Sequence, residues 1–224
     1  MANKKQTTLK TEQKAGEVIS KTEVFFEKHQ KPIYYVLIGI VLVVLAFIGA
    51  KKFYFEPKNV EAAEKLVWCE QTFARDSFQL ALNGDGINAG YIDIVSDYSF
   101  TDAKKEAALG AATCSFKLGQ FDEAIDYAKK ATNKSFTFAP VATGLIGDCY
   151  VEKGDLKQAV KYFEKAADFN NEAISPIFLK KAADIYLFEF KDNQKALKLY
   201  QTIKDKYFQS PQAQTIDKFI ELAK

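Results

Sequence analysis

The chain has 224 residues, 48% hydrophobic and 27% charged, a length that suits one ordinary domain plus an attached tail or anchor. Net charge is +2, but residues 1–52 carry +5 and residues 53–224 carry −3, so the larger part is mildly acidic. A single Arg, Arg75, leaves no guanidinium supply for base or phosphate forks and argues against nucleic-acid binding; three Cys and one His exclude a disulfide framework and a conventional zinc site.

Residues 1–32 form a polar, Lys-rich tail. Ala15, Val18, Ile19, Thr22 and Phe26 recur at helical spacing. They fit either a short amphipathic helix on the inner membrane surface or a solvated tail with transient helix. Residues 33–55 are an anchor. The stretch from Ile33 to Ala50 is 18 residues without a charge, and at 1.5 Å per residue it covers about 27 Å, close to a hydrocarbon core of about 30 Å. Tyr34, Tyr35, Phe53, Tyr54 and Phe55 flank it beside Lys28, Lys31, Lys51 and Lys52, as interfacial aromatic and snorkelling residues do. Ile48-Gly49-Ala50 loosely resembles the cleavage site of a signal peptide, but the run exceeds the usual ~7–15 residues and a long leader precedes it, so an uncleaved anchor is the favoured reading; Cys69 lies too far on to carry a lipid. Four Lys precede the span within 20 residues and four follow it, so the local charge rule is tied. The whole tail, with seven Lys and four Glu, favours a cytoplasmic N-terminus. Gly39, Ala46 and Ala50 fall within about 20° of one helical face, either as a docking stripe for a second membrane helix or as scattered small residues.

Residues 56–224 show no strand alternation, and apolar residues recur at three and four. Helices are expected over 58–82, 87–98, 102–118, 121–132, 137–153, 156–169, 174–190 and 193–207, with a last one over 211–223 that uses Ile216, Phe219, Ile220 and Leu222 to close the stack. The Asn83-Gly84-Asp85-Gly86 stretch lacks the remaining ligands of a calcium loop and is expected to be a plain turn.

Gly119-x-Phe121-x-x-Ala124 returns 35 residues later as Gly154-x-Leu156-x-x-Ala159, followed by Ala131 and Ala166, and a weaker third copy places Ala196 and Tyr200. The period resembles the tetratricopeptide repeat, which implies an all-α fold: a transmembrane helix followed by a solenoid of antiparallel helix pairs. Small residues at Ala112, Gly147, Ala124 and Ala159 would let paired helices approach, with Tyr150 and Phe163 filling the space between pairs. The first copy departs from the pattern at Ala128, where an aromatic is usual. The third departs at Asp184, where a small residue is usual, and at Lys191, where Gly is usual; its register is open by one residue.

No GxSxG, HExxH or phosphate loop occurs, and His29 is remote in sequence from every Cys, so no catalytic, cofactor or metal residues are assigned. Cys114 and Cys149 share one repeat position, as packing residues would, and are expected to remain thiols. The remaining job is binding. The groove-facing positions are Thr113, Phe116 and Lys117, then Asp148, Val151 and Glu152, then Ile185, Phe188 and Glu189, a mixed apolar and acidic set that would suit an apolar partner segment; its Phe residues could equally be core.

The Phe25-Phe26-x-Lys28 motif before an apolar span, the helix NVEAAEKLVWCEQTFARDSF and the repeats that follow resemble, taken together, the YfgM-type ancillary subunits of the bacterial SecYEG translocon. The resemblance implies a single-pass protein of the inner membrane with a cytoplasmic tail and periplasmic repeats. Implied partners are Sec translocon subunits and a membrane-anchored periplasmic chaperone of the PpiD type. The alternative is a membrane-tethered assembly or division scaffold whose repeats face the cytosol.

Overall fold

A computed structural model of the protein describes residues 31–32, 34–99, 101, 103–132 and 138–224. The expected tail helix, the Phe25-Phe26-x-Lys28 motif, His29 and Ile33 lie outside them. The chain divides after Tyr54 into two compact units.

In the first unit, residues 34–50 are helical (α1) and exposed almost throughout. Among the described residues one helical stretch, Tyr34–Phe73, is long and apolar enough to cross a membrane; its best 18-residue window has mean hydropathy 2.3 and is exposed. A π-helical turn, Lys51–Phe55, follows, and Pro57, which has no N–H to donate, stands just after it.

The second unit is all helical among its described residues. Its elements are α2 (Glu56–Phe73), α3 (Phe78–Asn83), α4 (Tyr91–Asp97), α5 (Ala103–Lys117), α6 (Phe121–Ala131), α7 (Phe138–Glu152), α8 (Leu156–Ala167), α9 (Ser175–Phe188), α10 (Asn193–Lys206), a 3-10 turn Ala213–Thr215, and α11 (Asp217–Leu222). Two expectations are corrected here. The helix expected over 58–82 is broken by a turn in which Asp76 takes φ 57°, and the Phe73 and Phe78 rings meet edge to face at 5.2 Å across it. No Gly marks this turn; Asp tolerates the left-handed region better than most residues. The helix expected from 87 starts only at Tyr91, because Asp85 folds back to accept hydrogen bonds from the backbone N–H groups of Ile87 (2.9 Å) and Asn88 (2.6 Å). These bonds hold the Asp85 carboxyl below its ordinary pKa, and Asp93 then accepts from the Gly90 N–H at the start of α4.

From α5 onward the chain is three helical hairpins, α5–α6, α7–α8 and α9–α10, each packed on the next. Close approach within and between them depends on small residues. Ala112, Ala124, Ala159, Ala166, Ala183 and Ala196 are fully buried. A Cβ placed on Gly147 would stand 2.5 Å from the Phe163 ring. Phe163 in turn stacks on Phe178 of the following hairpin, ring centroids 5.9 Å apart.

The tips of the hairpins are built alike. Gly119 and Gly154 take φ 75° and 76°, and Lys191 takes φ 54° at the same place. The next residue, Gln120, Asp155 or Asp192, begins the second helix with nearly identical angles, φ −88° to −91° and ψ 69° to 75°. The third tip holds one more residue. Gln120 N–H donates to Ser115 O and Asp155 N–H to Tyr150 O, five residues back, whereas Asp192 N–H donates to Tyr186 O, six back. The small position of α9 is therefore Ala183, aligned with Ala112 and Gly147, and Asp184 follows it as Asp148 follows Gly147. This settles the open register of the third copy and corrects the assignment of Asp184 to the small position.

At the C-terminus Ile216 and Ile220 are buried against Tyr200 and Ile203, and Phe219 packs on Tyr200 at 5.5 Å. The helix expected over 211–223 is also corrected: residues 213–215 form a 3-10 turn and the α-helix begins only at Asp217, and Leu222, expected in this cap, is exposed.

Candidate functional site

On α7, Val141, Leu145, Asp148 and Glu152 lie at spacings of four, three and four residues, which places them on one face. On α9 the same face, in the observed register, is Ile177, Lys181, Asp184 and Phe188. The two faces adjoin: Lys181 Nζ donates to both Asp148 carboxylate oxygens, at 2.6 and 2.8 Å. Val141, Val151, Ile177 and Phe188 remain 37–46% exposed, although most apolar residues of these helices are buried. The surface thus has an apolar edge at the start of both helices, Val141 with Ile177, and another at the end of α9, Phe188; Val151 is exposed as well but lies about 100° round α7 from Glu152, beside this face rather than on it. About ten residues, or about 15 Å of helix, separate the two edges. The Asp148–Lys181 pair lies between them and neutralises the centre.

The residues expected to line the groove fall into two groups. Lys117, Asp148, Val151, Glu152, Phe188 and Glu189 are exposed or partly exposed. Phe116 is half-buried, with its ring 5.7 Å from Phe121, and packs against the first part of the core. Ile185 packs against Phe163, Phe178 and their neighbours. Thr113 returns its hydroxyl to the Leu109 carbonyl at 2.8 Å, a bond within its own helix. Asp148 is not a free acid but half of an ion pair that joins two hairpins, and Asp184 accepts from Lys180 (2.7 Å) and from the Tyr200 hydroxyl (2.8 Å). Val141, Leu145, Ile177 and Lys181 were not singled out from sequence. Extending the groove positions back by seven and eleven residues along each first helix would have found them.

Three buried thiols, Cys69, Cys114 and Cys149, lie away from this surface as free cysteines. Burial pushes each up to about 12. Among the described residues no group of three or more His, Cys, Asp or Glu side chains is placed to hold a metal ion. In α1 Gly39, Ala46 and Ala50 are exposed, and a Cβ on Gly39 would meet nothing within 4 Å.

Comparison with known proteins agrees with the hairpin geometry. A tetratricopeptide-repeat family model matches residues 144–172, which cover the end of α7, all of α8 and the turn after it. No curated protein matches the chain. The hairpins on either side of the matched segment repeat its tip geometry and its small-residue contacts, so the domain folds as a solenoid of tetratricopeptide-like hairpins, an architecture that serves as a scaffold for protein–protein interaction.

Proposed function

We propose that the chain is a non-enzymatic, membrane-anchored scaffold that binds partner proteins beside the bacterial Sec export channel and assists the handling of translocated chains, as YfgM-type subunits do. In this reading the N-terminus is cytoplasmic, α1 crosses the inner membrane once and the repeats face the periplasm. The partners are Sec translocon subunits and a membrane-anchored chaperone of the PpiD type. The observation that carries the proposal is the presence, in one chain, of an exposed charge-free helix and a repeat domain that leaves Val141, Val151, Ile177 and Phe188 uncovered on adjoining helices. Apolar side chains held open on a rigid helical surface suit an apolar segment of a partner protein. Gly39, Ala46 and Ala50 supply a second contact, with a helix of the channel inside the bilayer.

The test is co-purification of the detergent-solubilised full chain from membranes. The wild type should bring down channel subunits and the chaperone. Ala46→Phe should insert normally yet lose the channel subunits, and Val141→Glu with Phe188→Glu should lose the chaperone while keeping its helical circular dichroism. Absence of Sec subunits from the wild-type eluate, together with a reporter after Lys224 that works only in the cytosol, would overturn the proposal in favour of a cytosol-facing assembly scaffold.

A further inference from the structure

We draw no further inference here: the strongest candidate, the open cavity of about 550 Å³ between the α8–α9 and α10–α11 loops, lined by Glu172, Ala173, Lys206, Phe208, Gln209 and Pro211, carries nothing because its lysine is already engaged by Asn170 and nothing in the structure shows what covers the exposed Phe208 ring.

Discussion

Phe178 of α9 lies over Gly144 of α7, and a Cβ built on that glycine would stand 1.8 Å from the ring's Cζ atom. The same ring stacks on Phe163 of α8, so one side chain sets the distance between two consecutive hairpins. Overpacking of this kind typically costs about 1–3 kcal/mol. Gly144→Ala should therefore lower the thermal midpoint, and Phe178→Leu in the same chain should recover part of the loss. An additive double variant, measured by thermal denaturation, would show that the contact does not set the spacing.

The three hairpin tips invite a comparison at one dihedral angle. Lys191 occupies the left-handed region that Gly119 and Gly154 occupy elsewhere, and a residue with a Cβ pays about 1–2 kcal/mol there. Part of this is offset by the larger backbone entropy that Gly adds to the unfolded chain. Lys191→Gly should stabilise the protein by about 0.5–1 kcal/mol, and Gly154→Ala should destabilise it by a similar amount. Chemical denaturation of both variants reads the two signs together.

Glu106, half-buried at the start of α5, has its pKa raised above 4.5, first by desolvation and then by the neighbouring Glu70 carboxylate. A carboxyl with a raised folded-state pKa binds its proton more tightly folded than unfolded. Its contribution to stability is therefore fully present below the ordinary carboxylate range and is lost as pH rises through the raised value. Glu106→Gln removes this penalty. The variant should be more stable than the wild type at pH 7, and the difference should shrink as pH is lowered through and below about 4.5. A difference that stays constant with pH would assign the effect to packing.

Cys69, Cys114 and Cys149 should resist alkylation in the native protein at pH 8, since burial holds all three thiols up to about 12 and the thiolate is the reacting form. All three should label on unfolding. Mass spectrometry of native protein that shows rapid labelling of Cys114 or Cys149 would contradict the packing role of the repeat position they share.

Most of the helical layout was legible in the sequence because each element combines apolar residues at three and four with a marked tip, as at Gly119, Gly154 and the capping aspartates Asp155 and Asp192. Two misplaced boundaries in the first part of the domain lack such marks. The break at Asp76 contains no Gly, and the delayed start at Tyr91 depends on side-chain hydrogen bonds from Asp85 that periodicity does not register. The register of α9 was hidden because the extra residue lies between two helices that each keep their own period. The candidate surface was legible only in part. Position along the repeat identifies Phe188 and Val151, but the pairing of Asp148 with Lys181 joins residues 33 apart and appears only once the hairpins are stacked.

The extra residue at the third hairpin tip separates two kinds of freedom in this molecule. Helix spacing is held by contacts near the middle of the hairpins, Gly144 with Phe178 and Gly147 with Phe163, and these leave no room for change. The tip absorbs a whole additional residue while Ala183 stays aligned with Gly147 and Lys181 stays within reach of Asp148. Hairpin tips in this solenoid are thus the places where related chains can gain or lose residues without disturbing the surface on which partners would be held, and length variation among homologues should concentrate there.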